Sequence, residues 1–88
     1  MMKRTINVTY QDIRCGAIGE SDKCPIALAI GRHLQGSKPW VFYGLCTFGT
    51  DCNPVKLPYP CEEFARNYDN GGDVEPFSFD IEVPRWLG

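Results

Sequence analysis

The side chains most able to ligate a metal or form a nucleophile–base pair are five cysteines, Cys15, Cys24, Cys46, Cys52 and Cys61, and a single histidine, His33. Eight, twenty-one, five and eight residues separate successive cysteines. No pair has the C-x-x-C spacing of a common structural zinc site. His33 lies nine positions after Cys24, not at the i+3 or i+4 spacing a helical ligand pair needs. A zinc site built from dispersed cysteines stays open on the sequence alone. Nucleophilic catalysis needs a base within hydrogen-bond reach and a third group to orient it, and no spacing here supplies both. Glu62 and Glu63 are adjacent, so on a helix they point about 100° apart and cannot act as a dyad. Asp69-Asn70-Gly71-Gly72-Asp73 lacks the bidentate Glu that completes a calcium loop. Gly16-Ala17-Ile18-Gly19 lacks the Gly-Lys-Ser/Thr that completes a phosphate loop. The expectation is a protein that is not an enzyme, with no catalytic residues, no metal site and no cofactor.

An odd number of cysteines does not make a complete set of intramolecular disulfides. The first residues do not read as a signal peptide, because Thr5, Asn7 and Thr9 interrupt any apolar stretch. The thiols are therefore expected to be reduced and the protein to be cytoplasmic. Free cysteine packs as a small hydrophobe, which suits Cys24, Cys46 and Cys61. Cys15 and Cys52 sit among polar and turn residues and are expected at the surface. The longest apolar run, Pro25 to Ile30, is far short of the roughly 20 residues that span a bilayer, so no membrane partner is expected.

The net charge of −2 is unevenly spread. Residues 1–50 hold six Lys/Arg against three Asp/Glu, and residues 51–88 hold three against eight. A pI near 5.2 argues against general nucleic-acid binding. The acidic half suits either a solvated face or docking onto a basic protein surface.

The elements that would position these residues follow from periodicity. Ile6, Val8 and Tyr10 alternate with polar neighbours and predict a half-buried strand. Asp12 to Lys23 reads as a loop with one helical turn near Gln11 to Arg14. Pro25 suits the first position of a helix, and Ile26, Ile30 and Leu34 form its inner stripe before Gly36. Trp40 to Phe48 reads as one strand, with Trp40, Phe42, Cys46 and Phe48 on one face and Val41, Tyr43 and Leu45 on the other. Val55 to Leu57 reads as a short edge strand between Pro54 and Pro58. Pro60 opens a second helix, with Cys61, Phe64 or Ala65, and Tyr68 inward and Asn70-Gly71-Gly72 as its stop. Phe77, Phe79, Ile81 and Val83 alternate with Ser78, Asp80 and Glu82 in the clearest strand pattern of the chain.

The order β-α-β-β-α-β predicts a single α+β domain over residues 1–88. It is the order of the ferredoxin-like split βαβ sandwich, with helices on one face of an antiparallel sheet. If Val55 to Leu57 is not a strand, the remainder is a βαβαβ sandwich with helices on one face. Two helices cover one sheet face only. If Trp40, Phe42 and Phe48 face the helices, then Val41, Tyr43 and Leu45 form an apolar centre within a polar rim on the other. That is the layout of an interaction surface. The predicted protein-binding residues are Val41, Tyr43 and Leu45, joined by Trp86 from the tail. The opposite outcome is that the tail or the Gln11–Lys23 loop folds over this face. Aromatic Trp40, Phe42 and Tyr43 near Lys38 and Arg32 keep nucleic acid as an alternative partner, but Asp80 and Glu82 on the open face would repel phosphate.

Two stretches, Cys-Pro-Ile-Ala-Leu-Ala-Ile at 24–30 and Pro-Phe-Ser-Phe-Asp-Ile-Glu-Val at 76–83, the latter preceded by Tyr68-Asp69-Asn70-Gly71, cover about a fifth of the chain. On them the sequence resembles a group of small proteins encoded by tailed phages and prophages. The resemblance implies phage origin and brings no catalytic residues. By analogy with small phage proteins, it implies a module that binds and blocks a host protein, such as a CRISPR effector or another defence component. The expected partner is that host protein or, on the same face, a second copy of the chain. The alternative is a small metal-stabilised or nucleic-acid-binding accessory protein.

Overall fold

Alternation decides the two strands nearest the ends. The computed structural model describes residues 2–42, 44–49 and 51–83. In it β1 (Met2–Val8) pairs antiparallel with β5 (Phe77–Val83), with Ile6 opposite Phe79 and Val8 opposite Phe77. Ile6, Val8, Phe79, Ile81 and Val83 are buried. On the outer side the Thr5 hydroxyl donates to Asp80 at 2.6 Å and Lys3 approaches the same carboxylate at 3.5 Å. The period-2 pattern of the last strand thus faces inward as its sequence predicts.

Local capping sets the helices. Thr9 and Asp12 form a reciprocal capping box that starts α1 (Tyr10–Cys15), a longer helix than the single turn predicted. The Cys24 sulfur accepts from Ala27 N–H at 3.4 Å and caps α2 (Pro25–His33), with Pro25 at its start. Ile26, Ile30 and Leu34 are buried, as their spacing requires. α3 (Tyr59–Asp69) follows Pro58 and buries Cys61 and Phe64. α2 packs on α1, on β1 and on β2 (Pro39–Phe42).

The middle of the chain departs from the prediction. The run from Trp40 to Phe48 is two strands, β2 and β3 (Leu45–Phe48), paired Phe42 to Leu45 and Val41 to Cys46. A third strand, β4 (Asp51–Lys56), pairs with β3 and gives the order β2-β3-β4. The short edge strand predicted at Val55 to Leu57 is therefore the end of a longer one.

The result is a small α+β domain with three helices and two antiparallel sheets among the described residues, not one sheet. A split βαβ sandwich needs the outer strands to join the hairpin. Both edges of β3 are already taken, by β2 and β4. On β4, Pro54 removes a ladder donor. On β2, the Val41 N–H is spent on the Ser21 carbonyl at 2.9 Å. These edges favour packing over pairing, and β5 lies against β4 without a shared ladder among the described residues. One core joins both sheets, from Ile6 and Ile30 through Cys46 and Phe48 to Phe79.

Candidate functional site

The chain reversal between Phe42 and Leu45 inverts the faces expected for the middle strand. In a straight strand Val41 and Leu45 share a side. In the hairpin Val41 lies opposite Cys46 and Leu45 opposite Phe42. Val41 is 5% exposed, so its expected place on an open face is corrected: it points into the core beside Cys46. Leu45 is 45% exposed, with Trp40 at 45% and Phe42 at 54%. The Trp40 and Phe42 rings stack at 6.5 Å between centroids. The open face of this hairpin is Trp40, Phe42 and Leu45, of which the sequence reading had placed only Leu45 there. Tyr43 and Trp86 lie outside the described residues. Gly44, an isolated glycine inside an apolar run, was the signal for the reversal.

Beside this face lies a cleft of about 200 Å³. One wall is the loop at Gly19 to Ser21, held along the edge of β2 by the Val41 to Ser21 hydrogen bond. Cys24 and the start of α2 form the floor. The opposite wall is the last turns of α3, with Phe64, Tyr68 and Asp69. Phe42 belongs both to the cleft lining and to the exposed face, so the two are continuous. Tyr68 is fixed by donating to the Ile13 carbonyl at 3.2 Å. It packs so close to Gly16 that a Cβ there would sit 2.9 Å from the Tyr68 hydroxyl and 2.8 Å from the Pro25 ring. Gly16 thus lets α1, α2 and α3 meet behind the cleft.

Comparison with protein-family models, curated proteins and solved structures found no match for this chain. The face and the cleft therefore stand on their own geometry.

Burial pushes up the Cys24 thiol, against hydrogen bonds from the Ala27 and Ile26 backbone that favour the thiolate. Burial likewise raises Cys46 and Cys61, each to about 12, with a neighbouring thiol adding to each. All three are protonated at neutral pH and poor nucleophiles. Cys15 is exposed, as expected. The Cys52 side chain lies outside the described set. No group of three metal-binding side chains occurs among the described residues. His33 is engaged structurally: its Nε2 accepts from the Asn7 N–H at 3.1 Å. This arrangement can bind; the described residues bring together no nucleophile, base and orienting group.

Proposed function

We infer that this chain is a non-catalytic protein-binding module of phage origin that acts in the host cytoplasm by covering a host protein. The observation that carries the reading is the Trp40, Phe42 and Leu45 face, three large apolar side chains each about half exposed on one hairpin. Clustered exposed apolar residues mark interaction sites, and aromatic anchors dominate such contacts. Phage origin rests on the resemblance of residues 24–30 and 76–83. Those stretches form α2 and β5, neither of which carries the Trp40, Phe42 and Leu45 face, so the resemblance bears on origin and not on that face. A host defence component is the class of target that this origin favours.

The test compares the tagged full chain with a Trp40→Ser, Leu45→Ser variant in host lysate, then with the captured protein purified. The expected result is a host protein held by the parent, lost by the variant, and inhibited in its own assay only by the parent. Both chains should melt alike, since both side chains are half in water. Equal capture by parent and variant, or capture without inhibition, overturns the reading.

A further inference from the structure

The cleft beside the hairpin holds a charge that no described residue compensates. Asp69 is the last residue of α3, where the free carbonyls of the helix end already set up a negative potential. An acid is disfavoured there and a cation favoured. Asp69 is half-buried, and its carboxylate has no ion-pair or hydrogen-bond partner among the described residues. Its charge reaches into the cleft: it adds to the burial that pushes up both the Cys24 thiol and the Tyr68 hydroxyl. Among the described residues Glu20 is the other carboxylate on the lining, and no Lys, Arg or His lines it. The remaining surface is largely apolar, with Phe42, Phe64 and Ile26 among it. At about 200 Å³ the cleft falls below the roughly 300–1,000 Å³ of sites for cofactors and drug-sized ligands. It matches one large side chain.

We propose that this cleft is a socket for an apolar side chain of a partner protein, with an adjoining Lys or Arg of that partner seated against Asp69 and Glu20. The proposal rests on the protein-binding reading above and adds the partner's chemistry: a segment pairing an apolar anchor with a cation. Phe42 then belongs to both contacts, one edge walling the socket and the rest meeting the partner's surface. The cation relieves Asp69 of the repulsion from its own helix end, and the anchor expels water from around the new ion pair, which strengthens it.

Two blocked dipeptides, acetyl-Phe-Lys-amide and acetyl-Phe-Glu-amide, test this by amide-shift NMR titration of the full chain. The Lys peptide should shift Cys24 and residues 64–69 and weaken as salt is raised. Its affinity should fall about tenfold in Asp69→Asn, the scale of one half-buried charged hydrogen bond. The Glu peptide should not bind. Ala65→Trp, which fills the cleft from the α3 wall, should abolish binding in a chain that still gives a folded spectrum. Equal binding of both peptides, shifts outside the cleft, or an unchanged affinity in Asp69→Asn overturns the proposal. The Trp40→Ser, Leu45→Ser variant separates the two readings. If it still takes the Lys peptide but captures host protein as the parent does, the hairpin face falls and the socket stands. If the peptides fail while that variant still loses capture, the socket alone falls.

Discussion

Asp12 shows how one side chain ties three parts of the chain together. Its Oδ2 accepts from the Thr9 N–H at 2.9 Å, the Thr9 hydroxyl at 3.1 Å and the Arg32 guanidinium at 2.8 Å. Arg32 also donates to the Asn7 carbonyl at 2.8 Å, so the pair joins β1, α1 and α2. Burial by itself would raise the Asp12 carboxyl, but Arg32 and the two Thr9 donors together outweigh it and hold it below the ordinary carboxylate value near 4. The folded state therefore binds this proton less readily than the unfolded one. The stabilisation is complete above the ordinary value and is lost as pH falls through the lowered one. Asp12→Asn should cost about 1–3 kcal/mol at pH 7, since it removes the charge that Arg32 and the two Thr9 donors bind. It should also flatten the acid side of the stability–pH curve. Urea melts of parent and variant between pH 2 and 7 check this, and parallel curves would show that Asp12 is not the titrating group. Asp80, also held low by Thr5 and Lys3 but exposed, serves as the comparison: Asp80→Asn should leave the acid limb nearly as steep. The Thr9-x-x-Asp12 spacing is a helix-start signal, with Asp in the place of the usual Glu, that the reading of Asp12 to Lys23 as a loop passes over. The Arg32 contact was not legible, because it spans twenty positions and depends on how α2 docks.

Among elements, β5 was the most legible because its pattern is pure. Each inward residue is aromatic or β-branched and each outward one is polar, so only one register buries the apolar set. The hairpin was the least legible because Trp40 to Phe48 is apolar on both sides. Periodicity cannot tell one strand with two buried faces from two strands folded back. The reversal moved Trp40 and Phe42 outward and Val41 inward, and so moved the candidate site to the other face. Phe79 tests the better-read element. It is 6% exposed and stacks on Phe77 at 5.6 Å, which in turn meets Phe64 at 5.0 Å. Phe79→Ala should cost about 3–5 kcal/mol, a large share of what a domain of this size has. A melting curve like the parent's would mean that β5 does not carry the core.

At the scale of the whole molecule, the α+β class was legible and the division into two sheets was not. Strand count and order come from local patterns, but joining sheets depends on which edges are free. On β2 the Val41 N–H is taken by the Ser21 carbonyl, and on β4 Pro54 brings no N–H at all. The cooperativity of this two-sheet body can be read from its thiols. Cys46 on β3 and Cys61 on α3 are fully buried in the shared core, and burial raises each to about 12. At pH 8 a thiol raised that far is almost wholly protonated, and it is also out of reach of a reagent. Both should therefore react with a bulky disulfide reagent only when the whole domain opens. For a domain stable by about 5 kcal/mol this slows labelling at least a thousandfold against the unfolded chain. Exposed Cys15 should label at once. Mass spectrometry of timed reactions in increasing urea checks the prediction. Cys46 and Cys61 should speed up together, with one slope equal to that of global unfolding. If Cys61 labels early with a shallow slope, α3 opens independently of the sheets, and the cleft it walls is a mobile edge of the molecule and not part of its core.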